Sequence, residues 1–393
     1  MKPGLMDKLR MIDADAKAKE AMPAPEPQAL PEDGAFHFVK TDFPLSIFCN
    51  RRFSTPENMS KIFREAYPPS LTEKDFLFLD TETTGLSGGA GTIAFQVGLG
   101  YFDADRFVVE QFLIRDYHEE AAMLTALLAC CARFSVIVTF NGKAFDIPLL
   151  KNRLIMHRKS AVTLPVFQAD VLHPARRLWK LRLGSCTLSR LEAALLGIER
   201  EDDLPGALVP QAYFQYLRDR NFAPMERVLQ HNQQDIVSLA QLFFFLCLQC
   251  GKPEEIKYTE DMLSLANTLQ KDGHTADAVK CYRLSAKGTT RPQALNALAI
   301  CEKKKGHPEN AIRLYAAMAR CSDDPAVAYE ALAKLAEHQK KDILQALHYT
   351  RQALLFLAEP KLFPDEAVQS RRIALQYRYA RLLRKKDPFQ EVF

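Results

Sequence analysis

The stretch FLFLDTETTGL, residues 76 to 86, constrains the fold more than any other part of the chain. Four consecutive apolar residues imply a strand covered on both faces, as in a parallel or mixed sheet flanked by helices. Yet this strand ends in two carboxylates, Asp80 and Glu82, with a single residue between them. Side chains alternate along a strand, so the two acids point to one face and Thr81 to the other. Neighbouring carboxylates at a buried strand end repel each other and need a cation, a shared proton or open solvent.

The segments that follow support a layered α/β domain. TIAFQVGLGYFD and RFVVEQFLI are β-rich and separated by the turn-like DADR. An apolar helix, EEAAMLTALLACCARF, then leads into SVIVTFN, a second continuous apolar strand. Strand, helix and strand in this order predict a partly parallel sheet. Helical patterning takes over from about residue 187 and continues to the end.

Two further acids stand where such a sheet could bring them near the first pair. In VTFNGKAFDIPLL a buried strand delivers Asn141 and then Asp146, just ahead of an apolar helix. An Asp at that point either caps the helix or serves a site. Asn141 either makes a turn or orients Asp146. In VLQHNQQDIVSLAQLF, Asp235 lies in mid-helix with His231 four residues earlier, so both project from one helix face.

Taken together, these motifs resemble the DEDD-type 3′ to 5′ exonucleases of the ribonuclease H-like superfamily, in particular the YprB-type branch. The resemblance covers roughly residues 75 to 250 and extends to DTETTGLSGGAGT, TFNGKAFD, DVLHPARRLWK, EREDDLPG and HNQQDIVSL. It implies a divalent-metal nuclease in which Asp80, Glu82 and Asp235 bind one ion, Asp80 bridges to a second, and Asp146 holds the second. All-oxygen ligation suits Mg²⁺ or Mn²⁺ and disfavours zinc. Two such ions, about 3.5–4 Å apart, activate a water and stabilise the leaving 3′ oxygen.

His231 is the candidate for positioning or deprotonating that water, because imidazole ordinarily titrates near neutrality. Its three-residue gap from Asp235 is the spacing of tyrosine-type members, whereas histidine-type members separate the two by four. The resemblance also implies single-stranded DNA or RNA 3′ ends as substrate, met by the amides of Thr83 and Thr84, although a turn role fits these two residues equally well. A weakly active or inactive nucleic-acid-binding adaptor is the alternative.

Several other features allow two readings. HPARRLWKLRLGS sets Arg176, Arg177, Lys180 and Arg182 around Trp179, the only tryptophan. Basic residues interleaved with an aromatic suit a nucleic-acid strand; the same pattern fits an amphipathic helix with a solvated basic face and a buried indole. GLSGGAG lacks the Lys-Ser/Thr of a phosphate-binding loop and reads as a turn beside the metals. His173 has no metal-ligand companion and reads as structural, while Asp202 and Asp203 read as a solvated loop.

The last third repeats itself. GHTADAVKCYRLSA begins at Gly273 and GHPENAIRLYAAMA at Gly306, 33 residues on. The same offset relates Ala266 to Ala299, Ala278 to Ala311, Tyr282 to Tyr315 and Pro292 to Pro325. This period and its columns of small and aromatic residues resemble tetratricopeptide repeats. A third copy, stretched by two residues around Lys340 and Lys341, runs through AYEALAKLAEHQKKDILQALHYTRQAL.

The expected organisation is a flexible tail over 1–35, rich in Pro, Ala and Glu, then a ribonuclease H-like domain over 36–252 with its core at 75–250. An all-α tetratricopeptide-like domain follows over 258–393, offering a surface to an unidentified protein partner. A net charge of +4 permits local basic patches but does not by itself indicate nucleic acid. Nine scattered cysteines without CxxC spacing argue against a disulfide framework or a zinc site. The N-terminus lacks a signal-peptide core, and no apolar run reaches the roughly 18 residues that span a bilayer. QLFFFLCLQC is shorter and reads as buried helix. The expectation is a cytoplasmic protein without membrane contact.

Overall fold

A computed structural model describes residues 34–48, 56–85, 91–159, 164–200, 203–358 and 366–387. All but the last two residues of the expected tail lie outside this set, as does most of the glycine-rich segment after the acidic pair. The chain divides into two compact units, Met1–Glu255 and Ile256–Phe393.

The first unit is built on a six-stranded mixed sheet of order β1-β4-β3-β2-β5-β6. The strands are β1 (His37–Pro44), β2 (Phe76–Thr83), β3 (Ala94–Asp103), β4 (Arg106–Leu113), β5 (Val136–Thr139) and β6 (Phe167–Asp170). Neighbours from β1 to β2 pair antiparallel, and β2, β5 and β6 run parallel. The described helices of this unit are α1 (Pro56–Phe63), α2 (Glu120–Cys131), α3 (Asp146–Met156), α4 (Leu172–Leu183), α5 (Leu188–Leu191), α6 (Val209–Asp219) and α7 (Ala223–Gly251). A π turn, Glu192–Leu196, follows α5 directly.

Strand β2 is central, and its four leading residues are fully buried. Alternation divides them between two layers. Phe76 and Phe78 meet Phe243 and Phe244 of α7 with ring centroids 5.2–6.1 Å apart. Leu77 and Leu79 turn the other way, joining Met123, Leu124 and Leu127 of α2 and Leu149, Leu150 and Leu154 of α3. An apolar run of this length needs exactly such two-sided cover, which answers why β2 lacks polar alternation.

Helix α7 is the one described helix long and apolar enough to cross a membrane, and 72% of that stretch is buried inside the protein. It approaches the sheet closely because β3 offers glycines beneath it. A Cβ on Gly100 would lie 2.4 Å from Ile236 Cγ2 and 2.6 Å from Phe107 Cζ. Two strands lie in segments that the sequence assigns to no element, β1 over His37–Pro44 and β6 over Phe167–Asp170. Both are edge strands, and β6 is only four residues long with one polar and one acidic side chain, too short to show a period.

The second unit consists of helices α8 (Thr259–Lys271), α9 (Thr275–Ser285), α10 (Arg291–Lys304), α11 (Pro308–Ala319), α12 (Ala326–His338), α13 (Ile343–Leu357) and α14 (Glu366–Lys386). Positions 33 residues apart have the same environment. Ala266 and Ala299 are both fully buried, as are Ala278 and Ala311, while Tyr282 and Tyr315 are 3% and 4% exposed. Gly273 and Gly306 make the inter-helix turns at φ 84° and 79°, which favour glycine. The third copy keeps the geometry with two extra residues: Lys341 takes the positive-φ position at 54°, and Ala346 fills the fully buried column.

Helix α14 docks on α12 through Glu337, a buried carboxylate that accepts from Arg378, Arg381 and Lys385 at 2.8–2.9 Å. Burial alone would raise its pKa, but the hydrogen bonds from Arg381 and Lys385 and the charge of Arg378 prevail and bring it down to about 2.

Two predictions follow from this packing. Gly100→Ala should cost about 1–3 kcal/mol through overpacking between α7 and the sheet, read as a lowered denaturation midpoint; an unchanged midpoint would mean α7 is not seated as described. Glu337, depressed in the folded state, contributes stability in full above pH 4.5 that is lost as pH falls through about 2. Glu337→Gln should therefore flatten the acid limb of helix content followed by circular dichroism over that window. Identical acid limbs would contradict the ion cluster.

Candidate active site

The carboxyl end of β2 gathers acids from three elements. Asp80 and Glu82 lie on the face of β2 that meets α7, as alternation requires. Asn232 of α7, fully buried, donates from Nδ2 to Asp80 Oδ2 at 2.9 Å. Its Oδ1 accepts from Gln111 Nε2 at 3.0 Å, and Gln111 also donates to the Leu229 carbonyl at 2.7 Å. Gly98, paired with Asp80 in the sheet, makes room for this amide: a Cβ there would lie 2.1 Å from Asn232 Oδ1. Asp80 is thus held by a buried relay across three strands and a helix.

Asp146 reaches the same place from the other layer. It is the first residue of α3, and its Oδ1 accepts from the Thr81 hydroxyl. Asp235 lies one helical turn beyond His231 on α7. The His231 Nε2 stands 3.8 Å from Glu82 Oε1 and 3.6 Å from Asp235 Oδ2. The imidazole therefore reaches the acids at the spacing found here.

The four acids disturb one another. Asp80 is pushed well above the usual carboxylate range by desolvation and by the charges of Asp235, Glu82 and Asp146, against the hydrogen bond from Asn232. Desolvation and the charges of Asp235, Asp146 and Asp203 raise Glu82 to about 8, against the pull of Arg200. Asp146 rises to about 6, chiefly by desolvation, with the Thr81 hydrogen bond opposing. Asp235 is also raised by desolvation, despite His231 and Arg200 beside it.

Arg200 is the positive charge built into this cluster. It grips the fully buried Glu192 with Nε and Nη2, both at 2.7 Å, donates from Nη1 to Asp203 Oδ2 at 2.9 Å, and from Nη2 to Asp235 Oδ1. A cavity of about 250 Å³ opens beside it, lined also by Asp203, Arg227, Gln230, His231 and Gln234.

Other expected site residues fall elsewhere. Trp179 is fully buried, its Nε1 donating to Gln249 Oε1 at 3.2 Å, so it cannot stack on a base. Arg177 is turned inward to the Ile62 carbonyl, whereas Arg176 and Lys180 are exposed on the outer face of α4. The Thr84 amide already donates to the Ile93 carbonyl at 3.0 Å and its hydroxyl accepts from the Ile93 amide, so it closes a turn and is not free for a nucleotide. The Thr83 hydroxyl donates to the Gly85 carbonyl, which leaves the part expected of its amide untouched. Asn141 is a turn residue at φ 69°, exposed, with its amide donating to Asp170.

Asp170, buried at the end of β6, accepts from the amides of Asn141, Lys143 and Leu172 and so braces the turn that delivers Asp146. Sequence reasoning missed Asp170, Asn232, Gln111, Glu192 and Arg200, and took Asp203 for a solvated loop. The available signals were the motif contexts HNQQD, EREDD and DVLHPARRLWK, the last beginning at Asp170, while Gln111 and Glu192 lie outside all three.

Among the described residues no three acidic, histidine or cysteine side chains are arranged as a finished ion site. The donor set nonetheless fits a hard divalent cation: it is all oxygen, desolvated and self-repelling. Gln96, opposite Glu82 in the sheet and fully buried, has neither amide atom satisfied, a further sign of a polar site open to an additional group.

A mixed sheet whose central strand ends in carboxylates, joined by acids from two helices, defines a ribonuclease H-like protein. The family model described as RNase_H superfamily matches residues 77–246. The "Uncharacterized protein YprB" of Bacillus subtilis (strain 168) is 33% identical over 304 residues, covering 76% of this chain and 73% of that protein. The chain belongs to the RNase_H superfamily, in the family of YprB. A family B DNA polymerase from the archaeon Pyrobaculum calidifontis is similar at a TM-score of 0.36 and 14% identity, over 53% of this chain and 30% of the polymerase.

Cation binding should show the raised acid directly. Glu82, at about 8, is mostly protonated at pH 7 in the metal-free protein, and a divalent ion must displace that proton. Calorimetry of Mn²⁺ binding at pH 7 should register proton release, seen as heats that change with buffer ionisation enthalpy, with affinity rising toward pH 8. Without metal the linkage runs the opposite way to Glu337: the contribution of Glu82 to stability is full below pH 4.5 and is lost as pH rises through about 8. Buffer-independent heats would contradict the raised pKa.

Proposed function

We propose that the protein is a divalent-metal-dependent nuclease that removes nucleotides from single-stranded 3′ ends of DNA or RNA. The observation that carries this reading is the meeting of Asp80, Glu82, Asp146 and Asp235 at the end of β2 with His231 turned toward them. Asp80, Glu82 and Asp235 would hold one Mg²⁺ or Mn²⁺, and Asp80 with Asp146 a second. Such ions supply charge neutralisation at the phosphate and make a bound water more acidic.

The chain's own groups do the rest. Asn232 fixes the orientation of Asp80, and His231 accepts a proton from the attacking water at Nε2 as the new P–O bond forms and the bond to the 3′ oxygen breaks. The leaving oxygen takes its proton from solvent. Arg176 and Lys180, exposed one turn apart on α4, would contact phosphates. The helical repeats, read as tetratricopeptide-like, would bind a protein partner. A reducing, cytoplasmic setting agrees with nine scattered cysteines that show no CxxC spacing.

One observation favours a second reading. Arg200 occupies Asp235 Oδ1, Thr81 occupies Asp146 Oδ1 and Asn232 occupies Asp80 Oδ2, so three of the four acids already have partners. An adaptor with little turnover would fit such a site.

Release of mononucleotides from 3′- and 5′-labelled single-stranded DNA and RNA, with Mg²⁺ or Mn²⁺, separates the two. Wild type should digest from the 3′ end, and Asp80→Asn should lose at least about 100-fold in rate, the scale of one removed electrostatic catalytic group. Wild type no faster than Asp80→Asn would exclude the nuclease reading and leave the adaptor.

A further inference from the structure

His231 Nδ1 has two polar neighbours, and their chemistry decides where its proton sits. Asp203 Oδ1 is 2.7 Å away and Arg200 Nη1 is 3.4 Å away. A guanidinium only donates and a carboxylate only accepts. The 2.7 Å contact is the length of a charge-assisted hydrogen bond, while 3.4 Å lies at the edge of bonding. Nδ1 therefore donates to Asp203, and in the neutral ring Nε2 keeps its lone pair. The nearest acid oxygens to Nε2, at 3.6 and 3.8 Å, are beyond direct hydrogen bonding.

Asp203 is itself held on both sides. Its second oxygen accepts from Arg200 Nη1 at 2.9 Å, and Arg200 is clamped by Glu192 in the core, at the first residue of the π turn. The run from Glu192 through Arg200 and Asp203 to His231 leaves the imidazole a single orientation. π turns recur at functional sites, where they redirect a side chain.

We infer that Asp203 is a positioning residue of the proposed nuclease site, fixing His231 with its proton on Nδ1 and presenting the bare Nε2 to the water that attacks phosphorus. Its part in turnover rests on the nuclease reading; its control of the ring does not. A histidine held by a carboxylate in this way is oriented and its tautomer selected, which is what a general base requires before its distance to the water matters.

The test has two arms on the full-length protein. In the first, the metal-free protein carrying ¹⁵N-labelled histidine is followed by long-range ¹H–¹⁵N correlation spectra, with His231→Gln assigning the signal. Wild type should show the proton on Nδ1, and Asp203→Ala should convert His231 to a mixture or to the Nε2-protonated form. In the second arm, Asp203→Ala and Asp203→Asn should lower kcat about 10- to 100-fold, typical of removing an outer partner, with KM within about twofold and unchanged Mn²⁺ affinity. Asp203 is 27% exposed, and a thermal melt matching wild type is the control that each variant folds.

A wild-type His231 protonated at Nε2 would overturn the inference, as would an Asp203→Ala protein with unaltered tautomer or unaltered kcat. Should wild type lack nuclease activity, the nuclease reading falls and the spectra alone decide whether Asp203 sets the ring.

Discussion

The mutual repulsion of carboxylates at the end of β2 is the constraint around which the first unit is organised. Burial raises the pKa of all four acids, neighbouring carboxylates raise Asp80 and Glu82 further, and the fold must hold them there without dispersing them. It does so with neutral donors and one cation. Asn232 secures Asp80, the Thr81 hydroxyl secures Asp146, and Arg200 opposes Asp235. These partners come from helix α7, strand β2 and the loop after the π turn, so the acids can be crowded only while these elements are in place. Stability and chemistry are coupled at this point: the residues that oppose the repulsion also set the directions of the acid oxygens.

Much of this was readable in the chain. The apolar run Phe76–Leu79 identified a two-sided strand, and alternation placed Asp80 and Glu82 on one face. The 33-residue offset in the last third identified equivalent positions before any helix was seen, because helix-pair packing repeats the same small and aromatic contacts in each copy. Even the two-residue stretch at Lys340 and Lys341 corresponds to a turn that retains its left-handed residue without glycine. Periodic features of this kind are local, and local features are what a sequence displays.

The unread part is non-local. Asn232 and Gln111 bond across more than a hundred residues, and neither type signals such a bond by itself. Glu192, Arg200 and Asp203 read as an ordinary charged segment because charged loops are usually solvated; only burial of Glu192 reveals that the segment is anchored inward. Trp179 shows the converse error. Basic neighbours make an indole look like a stacking platform, yet the ring is buried in the core while only Arg176 and Lys180 of those neighbours are exposed. Edge strands such as β6 fail for a third reason, being too short to show a period.

The glycine beneath Asn232 has an implication for divergence within this lineage. With no space between Gly98 and the amide above it, neither position can be altered alone toward a larger side chain without lifting a 29-residue helix off the sheet. That helix also carries His231 and Asp235, so the displacement would be transmitted to both. The two sites are therefore expected to drift as a pair or not at all, making their joint inheritance a fingerprint of relatives that preserve the acidic centre.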